Sequence, residues 1–103
     1  MTRKISQQAA NSFFAGKNFN SNNTEVNTYV GGLVELRLWG HTIALYNKYN
    51  NREIIFTLAG YNTTTIRERL RALGIDIRVK RGIAYYNDNE ILNCQFYNSG
   101  IIA

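Results

Sequence analysis

The spacing of apolar residues changes along the chain, and each spacing predicts a type of element. Residues 5–15 carry Ile5, Ala9, Phe13 and other apolar side chains at helical spacing. Gly16 stands where a C-terminal glycine would end such a helix. The first segment is therefore predicted to be a short helix, followed by a polar, asparagine-rich connector over residues 17–23.

The next part of the chain alternates between apolar and polar residues in short runs, as β-strands do. We predict strands over 24–30, 33–39, 42–46 and 53–59, with the first at an edge of the sheet. Gly31-Gly32 and Gly40-His41 are predicted hairpin turns, and residues 47–52 a polar loop. Short links between successive strands predict a four-stranded antiparallel meander.

A second helix is specified at its start, its face and its end. Ile66, Leu70 and Leu73 recur at i, i+4 and i+7 and form one apolar stripe, and a glycine at position 74 ends the pattern. Thr65 and Glu68 match a capping box, in which each side chain bonds the other residue's backbone N–H. We therefore predict a helix that begins at Thr65.

Strand-like patterns return after this helix, over residues 75–80, 83–86 and 90–97. Turns are predicted at Arg81-Gly82 and at residues 87–89, and the apolar tail 100–103 is expected to pack back on the domain or to meet another copy. The whole chain, 1–103, is predicted to be one α+β domain in the order α-ββββ-α-βββ. Its single antiparallel sheet, strongly twisted or partly closed, would carry both helices.

Charge and cysteine content narrow the cellular setting. The net charge of +5 is compatible with an anionic partner but does not require one, because many small domains carry such a charge for solubility. Cys94 is the sole cysteine, so no intrachain disulfide can form and a reducing compartment is favoured. No apolar run is long enough for a membrane span, and the N-terminus lacks the apolar core of a signal peptide. A cytoplasmic protein is predicted.

Basic residues concentrate between the second helix and the strands that follow it. We predict an anion-binding or nucleic-acid-binding surface from these side chains: Arg67, Arg71, Arg78, Lys80 and Arg81. Tyr85 and Tyr86 on the next strand could add rings for base stacking. The alternative is that these bases only solvate the outer sides of a helix and an edge strand.

The segment before the second helix is a candidate binding site for a ligand or partner. It offers one aromatic ring, an amide and hydroxyls beside a helix N-terminus, where unpaired N–H groups favour anions: Tyr61, Asn62, Thr63 and Thr64. The alternative is a strand-to-helix turn with redundant capping residues.

Catalytic and metal-binding patterns are weak. His41 and Cys94 could form a base and a nucleophile, but one is expected in a turn and the other in a half-buried strand. The carboxylates are scattered singly, and one histidine with one cysteine falls short of a structural zinc site. We predict no catalytic residue, no metal site and no cofactor, and therefore no enzyme.

Several stretches resemble a family of short tailed-bacteriophage proteins. They are Leu36-x-Leu38-x-Gly40-His41-x-Ile43-Ala44, Phe14-Ala15-Gly16-Lys17-Asn18, and Gly60-Tyr61-Asn62-x-Thr64-Thr65 followed by Arg69-Leu70. The usual family member has Trp where Tyr61 stands and Asn where Ala72 stands. The resemblance covers most of the chain, carries no functional residues over to it, and implies a phage-encoded accessory protein in a bacterial host's cytoplasm.

Three functions follow as hypotheses. The first is a binding protein that inhibits or modulates a host protein, for instance one of host defence. The second is a nucleic-acid-binding protein that uses the basic residues. The third is a protein that sequesters a nucleotide signal, near residues 63–65 or between two copies in a homodimer.

Overall fold

A computed structural model describes residues 4–49 and 53–101, the last two of them by their backbone alone. Two helices and nine strands are present in this part of the chain. Their bounds are α1 Lys4–Ala15, β1 Phe19–Ser21, β2 Thr24–Thr28, β3 Leu33–Leu38, β4 His41–Asn47, β5 Glu53–Phe56, α2 Thr64–Ala72, β6 Ile77–Lys80, β7 Ile83–Tyr86, β8 Asn89–Glu90 and β9 Tyr97–Ile101. The α+β class is confirmed.

The larger sheet has six antiparallel strands in the order β1-β2-β3-β4-β5-β9. Val34, Leu36 and Leu38 of β3 are buried while the residues between them are not, as the alternating pattern predicts. The sheet is open, with β1 and β9 at its edges, so the expected partial closure is wrong.

Helix α1 packs on the inner face of this sheet. The Phe13 ring meets the Tyr46 ring edge-on at 4.8 Å, and the Tyr46 hydroxyl donates to the Phe13 carbonyl at 2.6 Å. The helix ends as predicted, with Gly16 in the left-handed region and the Lys17 N–H bonded to the Ser12 carbonyl at 2.9 Å. The loss of this glycine would strain the exit from the helix.

Helix α2 carries the predicted apolar stripe, since Ile66, Leu70 and Leu73 are all buried. The predicted cap is wrong: Thr63, not Thr65, caps the helix and accepts the Ile66 N–H at 3.2 Å. The Glu68 carboxylate accepts hydrogen bonds from two side chains instead of reaching back to the cap. Three successive threonines offered equivalent hydroxyls, so the sequence pattern alone did not distinguish the cap among them.

Arg69 lies inside the core and joins both helices to the sheet. It is 3% exposed and donates to Ser6 of α1 at 2.6 Å, to Thr24 of β2 at 3.1 Å and to Glu68 at 2.9 Å. A buried guanidinium is tolerated because these oxygens satisfy it.

The remaining strands form a second antiparallel sheet in the order β6-β7-β8. Its inner side adds Ile77 and Ala84 to the core, and Tyr86 packs edge-on against Phe56 at 5.1 Å. The prediction of one sheet is therefore wrong, and the sequence of elements is α1, five strands, α2 and four strands.

Several local predictions also need correction. The polar connector contains β1, which covers β2 and makes it an internal strand. The β3–β4 turn is Trp39-Gly40, with His41 already in β4. The Gly31-Gly32 hairpin has a third loop residue, Val30.

The predicted last strand, 90–97, is irregular between Ile91 and Phe96, and β9 pairs with β5. The tail thus packs back on the domain as far as residue 101, while residues 102–103 lie outside the described part.

Candidate functional site

Three chain segments that are distant in sequence meet at one end of the larger sheet. The His41 ring at the start of β4 lies against the Tyr61 ring of the β5–α2 loop, with centroids 5.5 Å apart. The Asn62 amide donates to the Gly82 carbonyl of the β6–β7 turn at 3.2 Å. The β5–α2 loop therefore contacts both the start of β4 and the β6–β7 turn.

A cleft of about 400 Å³ opens at this end of the molecule. Its walls come from β4, from the segment after β5 and from the irregular segment before β9: His41, Thr42, Thr57, Ala59, Gly60, Cys94 and Phe96. The Gly60 N–H bonds the Asn93 carbonyl at 2.8 Å and fixes the last two segments together. We define the turn surface as exposed residues that line this cleft, contact its wall or belong to the two turns beside it: Trp39, His41, Tyr61, Arg81 and Phe96.

Two residues of the turn surface occupy an unfavourable backbone conformation. Trp39 and Arg81 have φ angles of 53° and 54°, and each is followed by a glycine that also has a positive φ. Such two-residue hairpin turns favour Asn or Gly at the first position, because a Cβ crowds the backbone there. A bulky side chain in this conformation costs stability, and residues of this kind concentrate at functional sites.

The four residues predicted to bind a ligand or partner, 61–64, have different roles in the structure. Tyr61 is 50% exposed and belongs to the turn surface. Thr63 caps α2, and the Thr64 hydroxyl accepts from Arg67 at 3.2 Å. Asn62 accepts from Arg67 through its backbone carbonyl at 3.0 Å and through its side chain. These three residues shape the loop more than they offer free groups to a ligand.

The residues of the predicted basic surface also have different roles: some bond to neighbouring segments and others stay exposed. Arg67 turns back on the β5–α2 loop, and its burial, together with the nearby Arg71 charge, lowers its pKa from the ordinary arginine value. Arg71 donates twice to the Ile77 carbonyl, at 2.9 and 2.6 Å. Both guanidinium groups hold neighbouring segments in place through neutral oxygens, so the helix keeps its positive charge but offers fewer free N–H donors than its sequence predicts.

The outer face of the second sheet carries both signs of charge. Arg78 is paired with Asp76 at 3.1 Å, and Asp88 shares two shallow clefts with Arg78 and Tyr85. Tyr85 faces this side, whereas Tyr86 packs inward on Phe56 and cannot offer its ring for stacking. Lys80 and Arg81 remain exposed at the tip of the hairpin.

His41 and Cys94 line the same cleft, which neither their spacing nor their predicted elements indicated. Cys94 is exposed, in the irregular segment before β9 and not in a strand. Within residues 4–49 and 53–101, no three side chains from His, Cys, Asp and Glu lie close enough to hold a metal ion.

Sequence comparison identifies the protein family of this chain. Residues 2–103 match the model of a family described as Kyanoviridae Gp96 protein. The chain belongs to the Kyanoviridae Gp96 protein family. The expected membership in a phage protein family is thereby confirmed, while the shared motif proposed for residues 60–70 stays a prediction. Searches of curated proteins and of solved structures gave no match to this Kyanoviridae Gp96 family member.

The helices of this Gp96 family member are short. Neither α1 nor α2, the helices of the described residues, is long and apolar enough to cross a bilayer.

Trp39 and Phe96 are the members of the turn surface that sequence reasoning missed. A bulky residue before glycine, where a hairpin turn favours Asn-Gly, was the available signal for Trp39. Phe96 had none, because its placement depends on the path of the chain after β8.

Proposed function

We propose that this phage protein is a non-catalytic binding protein that docks on a host protein through the turn surface. The observation that carries the proposal is the exposure of three aromatic side chains: Phe96 at 57%, which lines the cleft, Tyr61 at 50%, whose ring contacts His41 in the cleft wall, and Trp39 at 51%, in the turn that precedes His41. Exposed aromatic clusters mark interaction sites, and Trp, Tyr and Arg dominate binding hot spots.

The left-handed conformation of Trp39 supports the same proposal. A half-exposed indole gains less from burial than a core tryptophan, yet it occupies a turn position that suits asparagine or glycine. Selection for folding alone favours the smaller residue, so a role in binding explains the tryptophan.

Phage origin suggests a host protein as the partner, and inhibition or modulation of a defence protein is the narrower form of the proposal. The basic hairpin tip leaves the nucleic-acid hypothesis as the alternative. It is less favoured because Arg67 and Arg71 bond internally and Arg78 is paired with Asp76. The nucleotide hypothesis loses support because the Thr63 and Thr64 hydroxyls already accept hydrogen bonds within the loop.

The test is affinity capture from a lysate of the phage's bacterial host, with the full-length protein immobilised. The Tyr61→Ala variant removes an aromatic side chain from the turn surface. Tyr49→Ala is the matched control, because Tyr49 is exposed beyond the opposite end of β4. A protein that is retained by the wild type and by Tyr49→Ala, but lost by Tyr61→Ala and Trp39→Asn, supports the proposal.

The captured protein must then bind directly after purification with the same dependence on these residues. Identical captured sets for all four proteins would contradict docking through the turn surface. Loss of capture on nuclease treatment would instead favour the nucleic-acid alternative.

A further inference from the structure

The tip of the β6–β7 hairpin forms the second half of the turn surface. Arg81 stands at the first position of the turn with φ 54°, and its side chain is exposed. The bond from Asn62 to the Gly82 carbonyl ties this tip to the loop that carries Tyr61. Arg81 therefore adjoins the loop whose Tyr61 ring contacts His41, a residue of the cleft described above, even though Arg81 comes from the other sheet. We call this cleft the aromatic cleft.

The charged residues next to this tip in the chain and in the loop that it contacts are basic. Lys80 precedes Arg81, and the Arg67 guanidinium lies against Asn62 in the same loop. Asp88 shares a shallow cleft with Lys80 on the outer face of the hairpin, but among the described residues no carboxylate lines the aromatic cleft. An approaching partner thus meets aromatic rings on one side and the exposed guanidinium of Arg81 on the other.

We infer that the partner docks through an acidic segment, in which a carboxylate bonds Arg81 while an adjacent apolar side chain enters the aromatic cleft. This inference rests on the proposed function and deepens it. A guanidinium can bind a carboxylate through two parallel hydrogen bonds, which fixes orientation as well as charge. Such a contact makes association faster at low salt, so affinity falls as salt concentration rises.

The experiment uses selection from a displayed library of random peptides on the immobilised full-length protein, followed by fluorescence anisotropy with the enriched peptides. We expect enriched peptides to carry Asp or Glu beside an aromatic or aliphatic residue. The Arg81→Asn variant should weaken their binding by about tenfold or more, as loss of a charge-assisted contact does. Lys17→Asn, an exposed lysine just beyond α1, removes the same charge and should change affinity by no more than about twofold.

The outcomes separate the two proposals. The acidic-segment inference is overturned if the enriched peptides require Trp39 and Tyr61 but contain no Asp or Glu. It is also overturned if the peptides bind the Arg81→Asn variant as tightly as the wild type. Either result leaves the proposed function standing. Failure to enrich any peptide that requires Trp39 counts against both. The inference would be overturned in favour of nucleic acid if random single-stranded DNA bound more tightly than the peptides and this binding were lost in the Trp39→Asn and Arg81→Asn variants.

Discussion

Replacement of Arg81 by asparagine should make the protein more stable while it weakens the binding function. Arg81 adopts φ 54° at the first position of a two-residue turn closed by the pair Lys80 and Ile83. Asparagine tolerates the left-handed region better than other non-glycine residues, because its short polar side chain can bond the local backbone. The exposed arginine side chain gives up little packing when it is shortened.

The expected gain follows from the cost of this conformation. A left-handed residue with a Cβ costs roughly 1–2 kcal/mol, and asparagine should recover about 1 kcal/mol of it. For a domain of this size that gain raises the melting temperature by about 4–8 °C. Urea denaturation at fixed ionic strength measures the free energy of unfolding, and a thermal scan gives the melting temperature.

Two control variants isolate the backbone effect from the charge effect. Lys80→Asn removes the same charge from a strand position and should not stabilise the protein. Asn87→Arg places arginine at the equivalent position of the β7–β8 turn, where φ is 51°, and should cost about as much as Arg81→Asn gains. If Arg81→Asn were no more stable than Lys80→Asn, the claim that Arg81 is kept at a cost would be wrong.

Three further predictions test the fold. Thr63→Ala should lower the free energy of unfolding by about 1 kcal/mol through loss of the α2 cap, while Thr65→Ala should cost clearly less; urea denaturation separates them. Arg69→Ala should lower the free energy of unfolding by about 3–5 kcal/mol, because it removes the cation beside the Glu68 carboxylate and the donor that the buried Ser6 and Thr24 hydroxyls share; urea denaturation measures the loss. Burial acts to raise the pKa of Glu35, but hydrogen bonds from Thr42 and Tyr29 and the Arg37 charge outweigh it and lower that pKa below its ordinary value of 4.5. The native state therefore binds fewer protons than the unfolded state. The stabilisation by Glu35 is present above pH 4.5 and is lost as pH falls through the lower native pKa, and Glu35→Gln should flatten that part of a stability-against-pH curve.

Elements with strong local signals were predicted well. The α2 stripe, the helix-ending Gly16 and the strand over residues 83–86 all follow from spacing within a few residues. β1 was missed because Phe19–Ser21 lies in an asparagine-rich stretch, and pairing with β2, not intrinsic propensity, makes it a strand. Local patterns of this kind specify an element when its stability comes from the segment itself.

Contacts between distant segments could not be read from the sequence. Nothing near Glu90 indicates that the sheet ends there and that the chain crosses to pair with β5. The contact of Asn62 with Gly82 depends on how the second sheet packs, and the contact of His41 with Tyr61 depends on where the β5–α2 loop folds back. The predicted basic surface shows the same limit. The backbone carbonyl that accepts from Arg71 belongs to Ile77, six residues later in the next strand.

A residue that does not match the usual preference of its turn gives information about function that a matching residue does not give. The β7–β8 turn of this chain has Asn87 and Asp88 with φ angles of 51° and 63°, residues that suit such a turn. Trp39 and Arg81 adopt the same conformation at equivalent positions without that advantage. Folding requirements do not explain the side chains of Trp39 and Arg81, and under the proposed function these exposed side chains are kept for contact with a partner. Trp39 and Arg81 are therefore the residues of the turn surface that a design for stability alone would replace.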